Sequence, residues 1–236
     1  MLRLGLPLLI FILVLFANLA SLEARGLSAK RPLDVPAESI IELHERKHYT
    51  QQVQGYSRDS SVFRARKPWG EANWSRIPTL TEGELKSAFS RVRDERMLLD
   101  SQGRARRLTW LYPDDGCFAR AEMMVSRFEK VVPAKIFAFG NLVANTKNHP
   151  SGSISWWYHV APVVKVGNKY YVLDPSIDAR RPLSAQEWVS AMQDSKAQIA
   201  ICGAHAYDPD SACEAGSGSQ HTAEKDLSRF LPAEWE

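Results

Sequence analysis

The sequence has few cysteines and almost no excess of either charge. Three cysteines in 236 residues are too few for the disulfide framework of a small secreted scaffold. The formal net charge of +3 argues against a dedicated nucleic-acid binder, which normally carries a concentrated basic surface. An odd number of cysteines also leaves at least one thiol unpaired within the chain, so one cysteine needs a separate explanation.

Beyond residue 24 the sequence also lacks any apolar run long enough to span a membrane. The N-terminus has a short basic start, an apolar run over residues 4–17, and small residues before Arg25. This layout predicts a signal peptide over residues 1–24, cleaved after Ala20 or Ala24. The alternative is an uncleaved anchor, but the run is shorter than the ~20 residues of a spanning helix. We therefore expect a secreted or periplasmic protein with no stable membrane insertion.

The remaining chain divides near residue 76. Residues 25–37 are polar with two prolines, and residues 54–78 have the composition of a loop. Residues 25–76 are therefore predicted to be an N-terminal extension or a short pro-like segment. Residues 77–236 form the main domain. Its predicted elements are a helix from a capping box at Thr79–Glu82 or Thr81–Glu84 to about residue 100, a helix over 117–131, strands over 136–140, 156–166 and 169–174, and a helix over 184–192. The polar stretches 145–155 and 208–225 are predicted as a loop and a tail. This order indicates an α+β fold rather than alternating βαβ units.

Cys117 is the thiol in the most unusual position. It follows a Pro-Asp-Asp-Gly turn, whose acids are able to cap a helix, and begins the predicted helix over 117–131. Free backbone N–H groups and the positive end of the helix dipole favour a thiolate there, and the same N–H groups can hold an oxyanion during acyl transfer. The alternative is a small buried apolar residue on a core helix.

The strands at 156–166 and 169–174 place a histidine and an aspartate together. Gly167-Asn168 predicts a two-residue hairpin turn, which pairs Val166 with Lys169. In that register His159 and Asp174 lie on the same face, within reach of an imidazole–carboxylate hydrogen bond. An aspartate that orients a histidine beside a nucleophilic cysteine is the logic of a catalytic triad. Taken singly, a satisfied core histidine and a turn-forming aspartate are the alternatives.

The other two cysteines, Cys202 and Cys213, flank a short polar stretch. A loop of this length suits a disulfide in an oxidising compartment. The alternative is a metal site formed by Cys202, His205, Asp210 and Cys213. We favour the disulfide, since a secreted protein has little need of such a site, and we expect no metal or organic cofactor.

Three aromatic residues, Trp156, Trp157 and Tyr158, come directly before His159. They are predicted substrate-binding residues, with ordinary strand aromatics as the alternative. Strict strand alternation places Trp157 on the His159 face, where it can wall a slot for an aliphatic amide. The remaining histidines lie in polar stretches and are predicted at the surface: His44, His48, His149, His205 and His221.

Four sequence blocks, in order, resemble the bacterial protein-glutaminase family. They are residues 115–121 (DGCFARA), 139–142 (FGNL), 157–161 (WYHVA) and 171–176 (YVLDPS). The resemblance implies a core similar to those of transglutaminases and papain-like proteases, with the cysteine at the N-terminus of a helix packed on an antiparallel sheet that carries the histidine and the aspartate. It implies hydrolysis of protein-bound glutamine to glutamate, with Cys117 as nucleophile, His159 as base and Asp174 as its orienting partner.

The sequence departs from the family in one respect and leaves rival activities open. The best-known members carry a long inhibitory pro-segment, whereas only residues 25–76 lie between the predicted signal peptide and the matching region. The expected partners are proteins or peptides bearing glutamine, and no nucleic acid. The alternatives are transglutaminase-like acyl transfer, a cysteine peptidase and a non-enzymatic binding module.

Overall fold

The structure, a computed structural model, describes residues 59–94, 97–99, 105–107, 113–147, 149, 151–216 and 218–234. The helices are α1 (Ser61–Arg64), α2 (Glu82–Asp94), α3 (Cys117–Val125), α4 (Ala185–Ala191) and α5 (Gln220–Glu234), with a short 3-10 turn at Trp69–Glu71. The strands are β1 (Met97–Leu99), β2 (Ala105–Arg107), β3 (Ala134–Asn145), β4 (Ser153–Val166), β5 (Lys169–Val172), β6 (Leu183–Ser184) and β7 (Gln198–Cys202).

One antiparallel sheet organises these elements. Its strand order is β6-β5-β4-β3-β7, and β1 and β2 form a separate two-stranded pair. The long central strands β3 and β4 are buried along most of their length, as expected where apolar side chains cover both faces. The α+β prediction is confirmed.

The predicted hairpin register is also confirmed. Val166 pairs with Lys169, and the antiparallel pairing continues as far as Val163 and Val172. Gly167 has a φ of +56°, which is the left-handed conformation that a hairpin turn with glycine in first position requires. Strand β5 ends at Val172, two residues earlier than predicted, so Asp174 lies just beyond it.

A register shift interrupts the pairing of β3 with β4 between Phe139 and Leu142. Gly140 lies at this shift, and a Cβ atom there would fall 2.2 Å from the Asp194 carboxylate. That carboxylate accepts a hydrogen bond of 2.8 Å from the Asn141 N–H. The shift breaks the strict alternation of β4 at the residues that precede His159. It is a β-bulge, and side-chain directions next to a bulge are reset.

The helices differ from the predictions mainly at their ends. Thr81 and Glu84 form the predicted reciprocal capping interaction, and Ser184 and Glu187 form a second one. Helix α2 nevertheless ends at Asp94 rather than near residue 100, because Met97–Leu99 form strand β1 and pair with β2. Helix α3 ends at Val125 rather than at 131. Helix α5 begins within the predicted polar tail, and over residues 220–230 its buried side chains are Ala223 and Leu227.

The described part of the predicted N-terminal extension packs into the same core as the main domain. Val62 is completely buried in the cluster that also holds Cys117. The Ser61 hydroxyl accepts a hydrogen bond of 2.6 Å from the Cys213 N–H, and Lys67 pairs with Ile199 of β7. The packing is therefore continuous across the predicted boundary at residue 76.

The predicted signal peptide over residues 1–24 lies outside the described residues. Within the part of the chain that the structure describes, no helix is long and apolar enough to cross a membrane.

Candidate active site

Cys117 is the first residue of α3 and is buried, with its thiol unpaired. The N-cap is Gly116, in the left-handed conformation with a φ of +83°, so neither of the preceding acids is the N-cap residue as predicted. A Cβ atom at this position would lie 2.9 Å from the Phe230 ring and 3.2 Å from Arg120, so only glycine fits. Because glycine has no side chain to cap the helix, backbone N–H groups of the first turn are available beside the sulfur.

His159 and Asp174 form the predicted hydrogen bond. The distance between His159 Nε2 and Asp174 Oδ2 is 2.7 Å, and both side chains are buried. The hairpin turn sets this contact, since it brings the end of β5 back alongside β4 in a fixed register. The prediction that these two residues meet is confirmed, and their catalytic roles belong to the proposal below.

Asp174 receives several donors besides the imidazole. Trp188 donates its indole N–H to Oδ2 at 2.8 Å, while the Ser176 N–H donates to Oδ1 at 3.1 Å and the Ser176 hydroxyl donates to the same oxygen. Burial by itself raises the pKa of Asp174, but the His159 charge and these hydrogen bonds outweigh it and lower the pKa to about 2. Asp174 is therefore a carboxylate at neutral pH.

The same pair controls the protonation of His159. Burial by itself lowers its pKa, but the charge and hydrogen bond of Asp174, followed by those of Cys117, raise it to about 9. His159 is therefore an imidazolium near neutral pH. Since Nε2 faces Asp174, the contact with Cys117 falls to Nδ1, which has no hydrogen bond of standard geometry within the described residues. Catalytic pairs without substrate are commonly loose in this way.

Two indole rings hold the imidazole in place. Trp156 stacks on His159 with ring centroids 4.6 Å apart and an interplanar angle of 8°, and Trp188 lies 5.6 Å away at 27°. Trp156 also donates its indole N–H to the Pro113 carbonyl at 2.9 Å, which ties it to the turn before Cys117. The imidazole can rotate little between these rings, so its two nitrogens keep separate partners.

The structure corrects the predicted position of Trp157. Trp156, not Trp157, lies against His159, because the β-bulge breaks the alternation on which the prediction relied. Trp157 instead stacks with Phe63 at 5.7 Å and contacts Phe139 at 6.1 Å, and the buried Tyr158 belongs to the same hydrophobic cluster. Substrate contacts by these three aromatics stay a prediction.

His149 is buried rather than exposed, so its predicted surface position is wrong. Its Nδ1 lies 2.7 Å from the Ser151 hydroxyl, and its Nε2 lies 3.7 Å from the Asp114 carboxylate. His205 is about half exposed, and its Nδ1 lies 2.9 Å from the buried Glu122 carboxylate. His149 therefore belongs with the turn that precedes Cys117, and His205 belongs with the middle of α3.

The predicted disulfide between Cys202 and Cys213 is confirmed. It joins the end of β7 to the segment before α5, and it leaves Cys117 as the free thiol. With their sulfurs bonded to each other, Cys202 and Cys213 are not the metal ligands of the alternative interpretation.

Sequence reasoning missed Trp188 and Ser176, the two other side chains that bond to Asp174. Ser176 had a usable signal, because a serine two residues after an aspartate commonly closes a small turn on its carboxylate. Trp188 had none, since a large apolar residue on an amphipathic helix indicates a core position and does not identify a hydrogen-bond partner.

Known proteins similar to this chain are glutaminases. A family model described as glutaminase matches residues 85–192, which include Cys117, His159 and Asp174. A crystal structure of protein-glutaminase is 25% identical, with a TM-score of 0.52 over 65% of this chain and 88% of that chain. A crystal structure of pro- protein-glutaminase is also 25% identical, with a TM-score of 0.53 over 70% of this chain.

The chain spans 62% of the length of that pro-form. The NMR structure of protein-glutaminase from Chryseobacterium proteolyticum, at 24% identity, has the same fold with a TM-score of 0.53. No curated protein sequence matches the chain significantly. The predicted resemblance to protein-glutaminases thus agrees with the glutaminase family model over residues 85–192 and with the fold of the solved protein-glutaminases.

Proposed function

We propose that this chain is a secreted enzyme that hydrolyses the side-chain amide of protein-bound glutamine to glutamate and releases ammonia. One observation carries the proposal: a buried His159–Asp174 pair, whose imidazole interacts with a free cysteine at a helix N-terminus, lies within the segment that matches the glutaminase family model. Cys117 is the nucleophile, His159 transfers the protons, and Asp174 orients His159 and keeps it charged.

In the first half of the reaction the Cys117 thiolate attacks the carboxamide carbon of glutamine. The carbonyl oxygen becomes an oxyanion, which the backbone N–H of Cys117, at the start of α3, stabilises by a hydrogen bond. His159 then gives its Nδ1 proton to the amide nitrogen, the C–N bond breaks, and ammonia leaves. The products of this half are a thioester on Cys117 and a neutral imidazole.

In the second half water replaces ammonia. The neutral His159 takes a proton from the water at Nδ1 while the oxygen adds to the thioester carbon. The tetrahedral species collapses, the C–S bond breaks, and glutamate and the Cys117 thiolate are formed. Throughout both halves the Nε2–H of His159 stays bonded to Asp174 Oδ2 at 2.7 Å, so one nitrogen handles protons and the other fixes the ring.

The test is a direct assay on the mature chain with a glutamine-rich protein. We expect ammonia release together with the mass change of amide-to-acid conversion at glutamine, and neither with the Cys117→Ala variant. Incorporation of a labelled amine in place of water would instead show transglutaminase-like acyl transfer. New protein fragments would show a peptidase, and unchanged function after alkylation of Cys117 would show a binding module.

Export is the second part of the proposal. The Cys202–Cys213 disulfide supports an oxidising compartment outside the cytosol, in agreement with the predicted signal peptide over residues 1–24. Residues 25–76 then form an N-terminal extension of the catalytic domain over residues 77–236. Sequencing the N-terminus of the exported protein tests this, and a chain that still begins at Met1 would contradict it.

A further inference from the structure

A second buried charge pair connects the nucleophile helix to the central sheet. Glu122 of α3 and Lys135 of β3 are both buried, and Lys135 Nζ donates to Glu122 Oε2 at 2.6 Å. Lys135 Nζ also donates to the Ala206 carbonyl at 3.0 Å, while Glu122 Oε1 meets His205 Nδ1 at 2.9 Å. Each charged group therefore has two partners.

The pair joins the same two structural units that carry the nucleophile and the base. Glu122 follows Cys117 by five residues, which is about 7.5 Å along a helix. Lys135 precedes Ala138 by three residues, about 10 Å along a strand, and Ala138 is the β3 residue paired with His159. A bond between Glu122 and Lys135 thus fixes α3 against the sheet close to the point where Cys117 meets His159.

Stability alone does not account for the pair. Removing two charges from water is costly, and replacing a buried ion pair by apolar side chains of similar volume is often neutral or stabilising. The surroundings of Glu122 are nevertheless shaped around its carboxylate: a Cβ atom on Gly218 would lie 2.5 Å from Glu122 Oε2. Glycine at 218 lets the backbone cover the carboxylate, which suits a group retained for its geometry.

The Lys135 ammonium also lies within electrostatic range of the nucleophile. Burial lowers the pKa of Lys135, while the negative charges of Glu122, Asp208 and Cys117 oppose that effect.

We propose that Glu122 and Lys135 are positioning residues for the nucleophile: their bond holds α3 at the depth where Cys117 meets His159. The inference rests on the proposed function, because it assigns the pair a role in that reaction. His205, at the outer oxygen of Glu122, is the exposed end of this arrangement.

The experiment compares the double variant Glu122→Leu/Lys135→Met with the single variants Glu122→Gln and Lys135→Met. Each single variant leaves one buried charged group without the other member of its ion pair and is expected to lower the thermal midpoint. The double variant is expected to fold with a midpoint above those of both single variants. Lys169→Met, which removes an exposed lysine on β5, is the matched control for the loss of one positive charge.

Two readouts separate positioning from simple structural support. With the double variant we expect kcat to fall about 10–100-fold while KM changes little, the size of loss that a displaced catalytic group produces. We also expect the alkylation profile, followed over time with iodoacetamide at pH 7, to show slower modification of Cys117, because α3 no longer holds the sulfur at the same depth beside His159. Alkylation needs no glutamine substrate, so it tests the pair even if the parent releases no ammonia and the proposed function fails.

Two outcomes would overturn the proposal. One is a folded double variant with parental kcat and a parental alkylation profile, which would make the pair dispensable for the reaction. The other is a double variant that does not fold, which would show that the pair is needed for the fold itself.

Discussion

The His159–Asp174 pair and the Glu122–Lys135 pair are both buried and both short, yet they are built differently. The first joins β4 to the residue just beyond β5, and one of its atoms, His159 Nδ1, keeps no standard hydrogen bond within the described residues. The second joins a helix to a strand, and each of its charged groups has two partners. A pair that moves protons needs one atom left for the substrate, whereas a pair that fixes geometry is better fully satisfied.

The side chains and backbone groups around the two pairs also differ in whether they use hydrogen-bonding atoms. His159 lies between Trp156 and Trp188, flat surfaces that fix the plane of a ring without consuming its nitrogens. Lys135 is instead enclosed by a backbone carbonyl and a carboxylate, which accept from two of its three N–H donors. Burial of a charge is thus a weak sign of catalysis by itself, and the unused nitrogen beside a thiol is the more specific one.

The largest effect expected is that of removing the sulfur. Cys117→Ser should abolish nearly all ammonia release, by more than about 1,000-fold, because serine forms no stabilised anion at neutral pH beside His159. The thermal midpoint should change little, since the two side chains are similar in size. Ammonia release and circular dichroism on the same sample measure both. Activity close to that of the parent would remove Cys117 from the reaction.

Next in size is the loss of the charge that orients His159. Asp174→Asn keeps the shape of the side chain but lets the imidazole take the wrong tautomer, and we expect turnover to fall about 10–1,000-fold. That is less than in serine enzymes, because a thiolate–imidazolium pair depends less on proton transfer in the first step. Turnover and thermal midpoint are measured together.

Asp174→Ala is the companion variant for this prediction. It should lose similar activity and more stability, since the turn also loses its bonds from Ser176. Parental turnover in the asparagine variant, or a loss explained entirely by unfolding, would reduce the site to a Cys–His pair.

A smaller effect is expected at Trp188. Trp188→Phe keeps an aromatic ring near His159 but removes the indole N–H that bonds Asp174 Oδ2 at 2.8 Å. We expect turnover to fall about tenfold or less, with a destabilisation of about 1–3 kcal/mol from the lost buried hydrogen bond. The matched control is Trp156→Phe, which keeps its ring on the other face of His159 and loses a bond to Pro113 instead. If the two variants have identical pH–rate profiles, the bond to Asp174 has no special role.

The site could be predicted from the sequence where its contacts follow from local geometry. The two-residue turn at Gly167-Asn168 fixes the pairing of Val166 with Lys169, and that register brings His159 to Asp174. The capping box at Thr81 and the Cys202–Cys213 disulfide are equally local, since each joins residues close in sequence. Such contacts depend on spacing alone, and spacing is visible in a sequence.

Contacts that depend on tertiary packing could not be predicted. The β-bulge opposite Trp157 depends on Asp194, which approaches Gly140 from more than fifty residues away, and it exchanged the roles of Trp156 and Trp157. His149 lies in a polar stretch and is buried only because Asp114 and the turn before Cys117 fold against it. The polar sequence at the start of α5 likewise conceals a helix, since over residues 220–230 only Ala223 and Leu227 are buried.

The smallest expected effect is on the pH dependence of stability. It arises from the His159–Asp174 pair, whose two pKa values differ between the folded and the unfolded chain. The folded chain holds the His159 proton more tightly than the unfolded chain, whose imidazole has the ordinary pKa of 6.5. The stabilisation is therefore complete below pH 6.5 and is lost as the pH rises through the folded pKa of about 9. For Asp174 the pKa is lowered from 3.8, so its stabilisation is present above that value and is lost as the pH falls through about 2.

The thermal midpoint should therefore be highest between about pH 4 and pH 6.5 and decline towards alkaline pH, by about 2–4 °C for each kcal/mol lost. Thermal unfolding followed from pH 3 to pH 10 measures this. The Asp174→Asn variant should show a flatter alkaline decline, because its imidazole has lost the carboxylate that raises the His159 pKa. The Lys169→Met variant serves as the control and should keep the parental slope. Parallel declines of the parent and the asparagine variant above pH 6.5 would mean that other groups cause the alkaline loss, and that His159 is not held as an imidazolium by Asp174.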